Sequence, residues 1–123
     1  MADPVTKCAQ FINVTKNRTL ADQGRIANTF FSRLKGLLGT KVLPNGQGLL
    51  IRPCNSVHTF GMCYSIDVLF VSSDNHVLRI VPAMGPGKIA FSSGSAYVLE
   101  LPPGTAQATN TDVNDQLQIN MLH

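Results

Sequence analysis

The chain has 123 residues, of which 44% are hydrophobic and 14% charged, and its formal net charge is +3. This length and composition argue against a disordered chain or a two-domain enzyme, and we expect a single domain over residues 1–123. No apolar run approaches the roughly 20 residues of a membrane helix, and the start lacks a signal-peptide pattern, so we expect a cytoplasmic protein. Three cysteines without zinc spacing favour a reducing compartment over a disulfide scaffold.

The first elements predicted along the chain are a hairpin and a helix. Residues 8–14 and 19–27 flank a polar turn and predict two strands. From Asn28 to Leu38, apolar residues recur with helical spacing, and Gly39 suits a helix end. The pattern therefore predicts one amphipathic helix.

The middle of the chain predicts short strands. Residues 48–52 read as a strand that Pro53 ends. Residues 66–72 and 76–81 read as a hairpin in which Asn75 takes a positive φ.

The last third predicts a loop, a strand, a helical turn and a final strand. Residues 82–94 contain two Pro and three Gly. We expect Pro82 to break the sheet there and begin a long loop that acts as a lid or mobile flap. Residues 97–101 alternate like a strand with Glu100 facing solvent, residues 102–108 predict a helical turn, and residues 115–120 predict the closing strand.

Together these elements predict a mainly β (α+β) fold. We expect an antiparallel β-barrel or sandwich with one amphipathic helix and one short helical turn.

Several sequence fragments carry a family resemblance. In chain order they are Arg33-Leu-Lys-Gly-Leu-Leu-Gly, Gly48-Leu-Leu-Ile, Ser56-Val-His-Thr-Phe-Gly-Met, Ile66-Asp-Val-Leu-Phe, Val98-Leu-Glu-Leu-Pro and Asp115-Gln-Leu. Over about residues 17–119 the chain resembles the domain of unknown function 192, a family of small bacterial and archaeal domains. The resemblance implies a β-rich barrel or sandwich with short helices and no established activity, and we expect a bacterial source.

The chain also departs from this family's pattern. Asn114 stands where members have Gly before the acid that is Asp115 here, and Asn is the next best residue for a left-handed turn. Cys63 and Ser65 stand where members often have a basic residue and Pro.

The motif at residues 56–62 is the candidate functional site. If it is extended, His58, Phe60 and Met62 share one face and Thr59 takes the other. A titratable ring beside apolar walls is typical of a small-molecule pocket. The alternative is that all of them belong to the core, with the His58 ring held by the main chain or by Asp67.

Two further side chains complete the candidate ligand-binding set, which is His58, Thr59, Phe60, Met62, Cys54 and Asp67. Cys54 with His58 would be a thiol-hydrolase arrangement, although four extended residues hold their side chains about 13 Å apart. Asp67 would orient the imidazole of His58. The spacing of Cys54, His58, Cys63 and Asp67 from His76 and His123 does not suit a metal site, so we expect neither a metal nor a cofactor.

We expect a non-enzymatic module that binds a small ligand or a protein partner beside the motif. The first alternative is a small hydrolase-like enzyme that uses His58 with Asp67 or Cys54. The second is an anion or nucleic-acid binder, because the chain up to Met62 carries eight basic residues against two acidic ones, including Arg33, Lys35, Lys41 and Arg52. The basic residues are not consecutive, which makes nucleic acid the weaker partner.

Overall fold

The computed structural model describes residues 7–27 and 43–122. The helix predicted from Asn28 to Gly39 lies outside these residues, as do Arg33, Lys35 and Lys41 of the proposed basic cluster.

The described residues form nine strands and one short helix. The strands are β1 (Lys7–Asn13), β2 (Arg18–Ala27), β3 (Gln47–Ile51), β4 (Ser56–His58), β5 (Ile66–Val71), β6 (Val77–Met84), β7 (Ile89–Phe91), β8 (Tyr97–Leu101) and β9 (Leu117–Leu122), and the helix is α1 (Thr105–Ala108). Seven strands form one sheet in the order β6-β5-β8-β3-β2-β1-β9, and β4 and β7 form a separate two-stranded ribbon. The predicted mainly β fold is therefore confirmed.

The large sheet is mixed rather than purely antiparallel. β2 and β3 are parallel, with Gln23 beside Gln47 and Ala27 beside Ile51, whereas the other neighbouring strands are antiparallel. Parallel neighbours cannot be joined by a tight hairpin turn, so β2 and β3 are not a hairpin pair. The prediction of an antiparallel sheet is wrong at this one pair.

Two hydrophobic clusters pack on opposite faces of this sheet. The first includes Leu49, Val68 and Val98 from the sheet and Val57 and Ala90 from the ribbon. The second is made of the alternate residues of the same strands together with α1, and it consists of Ala9, Phe11, Leu20, Ala21, Ile26, Leu50, Leu69, Val71, Val77, Tyr97, Leu99, Leu101, Ala106 and Leu117. The arrangement is sandwich-like and not a closed barrel, because within residues 7–27 and 43–122 the edge strands β6 and β9 meet at their first residues alone, through the isolated bridge between His76 and Gln116 and the hydrogen bonds beside it.

The predicted hairpins are confirmed. β1 and β2 pair around the turn that contains Asn17, and β5 and β6 pair around Asn75, whose φ is 69°. Asn114 has a φ of 77°, so the turn before Asp115 is left-handed as expected.

Pro82 does not break the sheet. β6 continues through Pro82 to Met84, because β6 is an edge strand whose outer side needs no ladder hydrogen bond from a proline. The following residues 89–91 form β7, so the expected long loop is in large part regular structure.

Candidate functional site

The motif at residues 56–62 begins in the β4–β7 ribbon. The two strands are antiparallel, with Ser56 opposite Phe91, Val57 opposite Ala90 and His58 opposite Ile89. Val57 and Ala90 are buried against the large sheet. Because side chains alternate along a strand, the side chains of Ser56, His58, Ile89 and Phe91 lie on the outer face of the ribbon.

His58 and Phe60 lie together as predicted. Their rings are stacked with centroids 5.6 Å apart and an interplanar angle of 25°. The side chain of Phe60 is 52% exposed, while His58 is half-buried with its Nδ1 atom inside the protein.

Met62 does not share this face. The chain turns at Gly61, which has a φ of 83°, and the N–H of Met62 donates to the carbonyl of Thr59 at 3.2 Å. The turn directs Met62 into the first cluster with Val57, where it is 8% exposed. The predicted common face therefore holds for two of its three residues, because the strand ends before Met62.

Thr59 attaches the segment that was expected to be a lid. It is fully buried, and its Oγ1 donates to the carbonyl of Gly85 at 2.7 Å and accepts the N–H of Lys88 at 2.8 Å. Its own main chain donates to the carbonyl of Lys88 and accepts the N–H of Gly87. The prediction of a mobile flap is not supported, since three main-chain hydrogen bonds, two side-chain hydrogen bonds of Thr59 and three ladder pairs from residues 55–59 hold this segment in place.

Asp67 does not orient His58. The side chain of Asp67 lies on the face of β5 opposite to Ile66 and Val68, and those two residues pack in the cluster that contains Val57 of the ribbon. Its two carboxylate oxygens accept main-chain N–H groups, Oδ1 from Ala83 at 2.8 Å and Oδ2 from Ala106 at 2.9 Å. The predicted Asp67–His58 pair is wrong, because the sheet separates the two side chains.

Cys54 lies at the border of the first cluster. It is half-buried, and its thiol donates to the carbonyl of Ser56 at 3.0 Å. Cys8, Cys54 and Cys63 all belong to the described part of the chain, and none of them is in a disulfide. Within residues 7–27 and 43–122, no three His, Cys, Asp or Glu side chains are grouped so that they could hold a metal ion.

The predicted position of Glu100 is wrong. The predicted solvent-facing side chain is fully buried. β8 lies inside the sheet between β3 and β5, so both of its faces are covered, and Glu100 stands between Leu49 and Val68 on the face of the first cluster. A buried carboxyl group is costly unless it is compensated by polar contacts, which makes Glu100 a special position of the fold.

The ribbon also carries an exposed apolar patch that the sequence analysis does not predict. Three large side chains of the outer face are exposed by half or more: Phe60 at 52%, Ile89 at 69% and Phe91 at 56%. We call these three residues, with His58, the ribbon patch. The sequence predicts a loop at residues 89–91 because residues 82–94 contain two Pro and three Gly, and the alternation of a three-residue strand is too short to be recognised.

A separate cleft of about 310 Å³ is lined by residues of β1 and β2, by Gln47 of β3 and by Leu122 at the end of β9. Cys8, Arg25 and Leu122 are among its lining residues, and no residue of the motif at 56–62 contributes to it.

The family model DUF192, described as an uncharacterized ACR, matches residues 12–119. The chain belongs to the DUF192 family. A UPF0127 protein from Thermococcus sibiricus is 32% identical over 113 residues, which are 86% of this chain and 71% of that protein. A UPF0127 protein from Pyrococcus furiosus is 31% identical over 117 residues, or 90% of this chain and 98% of that protein.

Solved structures share the fold of this DUF192 chain. A protein from Sinorhizobium meliloti described as a "putative transcription regulator" has a TM-score of 0.79 and 22% identity, with 97% of both chains covered. A protein of unknown function from Novosphingobium aromaticivorans has a TM-score of 0.76 and 18% identity, with 93% of this chain and 84% of that chain covered. At this level of identity the comparison conveys the fold alone.

The comparisons correct one expectation about the source. The relatives from Thermococcus and Pyrococcus are archaeal, so the expectation of a bacterial source is not supported. Over the described ranges, no helix is long and apolar enough to span a membrane.

Proposed function

We propose that this DUF192 chain is a non-enzymatic interaction module that binds an acidic, apolar segment of a protein partner on the ribbon patch. The single observation that carries the proposal is the grouping of Phe60, Ile89 and Phe91, each at least half exposed, on one face of the ribbon. Exposed apolar side chains that are scattered singly are ordinary, but a contiguous group with aromatic rings is typical of an interaction site.

The charges around the patch define the partner. The segments that build it, residues 52–66 and 79–96, contain Arg52, Arg79 and Lys88 and no Asp or Glu. The guanidinium of Arg79 donates to the carbonyl of Phe91 at 2.6 Å, which holds one positive charge at the edge of the patch. A partner that places carboxylates beside its apolar side chains complements this arrangement, and the charges would suppress basic partners.

The ribbon favours a protein segment over a membrane surface. Thr59 and Asn55 exchange hydrogen bonds with Lys88 and Ser92, so the main-chain groups of Ile89 and Phe91 point away from β4. The carbonyl of Phe91 already accepts from Arg79, so an extended segment would use the N–H of Phe91 and the main-chain groups of Ile89 for hydrogen bonds, whereas lipid cannot. Three basic residues contribute only about 1 kcal/mol each at an anionic surface, which is weak anchoring.

The proposal includes a reducing, cytoplasmic setting. The thiols of Cys8 and Cys63 are exposed and form no disulfide, which suits a compartment that keeps cysteines reduced.

The test measures binding of two matched sets of synthetic peptides of about 10 residues. In one set Phe and Leu alternate with Asp and Glu, and in the other the same apolar residues alternate with Lys and Arg. We expect the acidic set to bind and the basic set not to bind. Ile89→Ser and Phe91→Ser should each weaken binding about tenfold or more, as for exposed residues at the centre of an interface. Val113→Ser is the matched control, because Val113 is 49% exposed but lies outside the patch, and it should leave binding unchanged.

A charge reversal distinguishes the partner class. Lys88→Glu should weaken the acidic peptides and improve the basic ones, since Lys88 is exposed and directly precedes Ile89. The proposal is overturned if both peptide sets bind equally, if neither binds, or if the Ile89→Ser variant binds as the control does. Sedimentation with vesicles that contain anionic phosphatidylserine, together with no peptide binding, would assign the patch to a membrane surface instead.

A further inference from the structure

The two edges of the large sheet differ in how they are protected. β6, at one edge, carries Arg79 and Pro82, and its register with β5 shifts twice. Charges, prolines and bulges are the devices that keep an edge strand from pairing with another chain. β9, at the other edge, has the sequence Leu-Gln-Ile-Asn-Met-Leu, which contains no charge and no proline, and its register with β1 is regular.

The main-chain groups of β9 that face outward can be assigned from the ladder. The N–H of Val14 donates to the carbonyl of Gln116, so the hydrogen-bonded pairs with β1 fall on the even-numbered residues of β9. The main-chain groups of Leu117, Ile119 and Met121 therefore point away from β1. The N–H of Leu117 is used, because it donates to the carbonyl of Asn75 at 2.8 Å. Among residues 7–27 and 43–122, no strand pairs with the outer side of Ile119 and Met121.

We propose that β9 is a homodimer interface, in which it pairs antiparallel with β9 of a second copy about a two-fold axis at Asn120. The N–H of Leu117 is already bonded to Asn75, so the outward main-chain groups of Ile119 and Met121 remain for pairing with a second strand, and this fixes the register. It places Ile119 opposite Met121 of the partner subunit on each side of the axis, as two hydrogen-bonded pairs. Each copy supplies the same strand to the other, which is the isologous contact of a two-fold dimer.

The side chains agree with this register. Ile119 is partly buried against the second hydrophobic cluster, and Met121, on the same face of β9, is 38% exposed. Pairing extends that cluster by placing Met121 of one copy beside Ile119 of the other. Asn120 lies opposite its own copy on the other face, where two uncharged amides cause no repulsion. A second copy therefore fits better than a charged partner strand, and the interface is separate from the ribbon patch.

The test places charged residues at Asn120, on the two-fold axis, and measures whether the chain still forms a dimer. We expect the full chain to be a dimer by sedimentation velocity, with dissociation on dilution. Asn120→Asp and Asn120→Lys should each be monomeric, because like charges directly opposite each other destabilise a strand pair. Mixing the two variants should restore the dimer. Val113→Asp introduces the same charge at an exposed site away from β9 and should remain dimeric.

Amide hydrogen exchange provides a second measurement that does not depend on the variants. The N–H groups of Ile119 and Met121 should be protected in the dimer and exchange rapidly in the Asn120→Asp variant, whose fold is checked by its thermal unfolding. A chain that is monomeric at all concentrations overturns the proposal. So does a dimer that survives in both single variants, or a mixture of the two that stays monomeric.

Discussion

Asp67 accepts a hydrogen bond from the main-chain N–H of Ala106, 39 residues later in the chain, at 2.9 Å. Its other carboxylate oxygen accepts the N–H of Ala83, which has a φ of 46° in the irregular part of β6. One buried carboxylate therefore fixes both the start of α1 and the bend of an edge strand. A residue that sequence patterns suggest as a partner of His58 is in fact a support for the fold.

Asp67→Asn is expected to lower the free energy of unfolding by about 2 kcal/mol. An amide retains one acceptor oxygen but turns its NH₂ group toward one of the two N–H donors, which leaves that donor unsatisfied in a buried place. Urea unfolding followed by circular dichroism measures the change. Asp22→Asn is the control, since Asp22 is exposed on β2, and it should stay within about 0.5 kcal/mol of wild type. Equal stability of the two variants would contradict the structural role of Asp67.

Replacement of Gly24 is expected to destabilise the fold because of its close contact with Phe11. A Cβ atom at Gly24 would lie 2.6 Å from Cζ of Phe11, and the Phe11 ring is fully buried in the second cluster. Gly24→Ala should therefore cost about 1–3 kcal/mol in the free energy of unfolding, as overpacking of a core does. Gly85→Ala is the matched control, because the nearest atom to its added Cβ is Oγ of Ser65 at 4.0 Å. A similar loss in both variants would show that backbone entropy, and not the Phe11 contact, sets the cost.

Local signals in the sequence were sufficient for the hairpins. Asn75 sits between two β-rich runs, and the structure places it at positive φ in the turn of β5 and β6. The preference for a turn depends on a few neighbouring residues, so it does not require contacts with distant parts of the chain. The family motif at residues 56–62 is equally local, and the stacking of His58 on Phe60 follows from their spacing of two residues.

Features that depend on distant strands could not be predicted. The alternation of Leu99, Glu100 and Leu101 is the pattern of a half-exposed strand, but β8 lies in the middle of the sheet and is covered on both faces. Alternation reports exposure only when one face of a sheet is open. The parallel pairing of β2 with β3 likewise depends on where the intervening chain returns, which no local pattern encodes.

The hydrogen bonds of the Asp115 carboxylate make the stability of the protein depend on pH. Its Oδ2 accepts hydrogen bonds from Asn13 and Lys16, both at 3.0 Å, and from the N–H of Asp112 at 2.9 Å. Burial by itself raises the pKa of Asp115, but these three donors outweigh it and hold the pKa below its usual value. A carboxylate with a lowered pKa in the folded state stabilises that state above its unfolded pKa of about 4, and the contribution is lost as pH falls through the folded pKa.

Asp115→Asn should therefore be less stable than wild type at pH 7, by about 1–3 kcal/mol, because a neutral amide oxygen accepts weaker hydrogen bonds from the same three donors and cannot form the ion pair with Lys16. The difference between the two proteins should narrow as pH falls below the unfolded pKa of about 4 and through the lower pKa of folded Asp115. Urea unfolding at a series of pH values measures both curves. Gln107→Ala, an exposed and uncharged change on α1, should keep the pH dependence of wild type. A difference between wild type and Asp115→Asn that stays constant at every pH would mean that the hydrogen bonds of Asp115 do not depend on its charge.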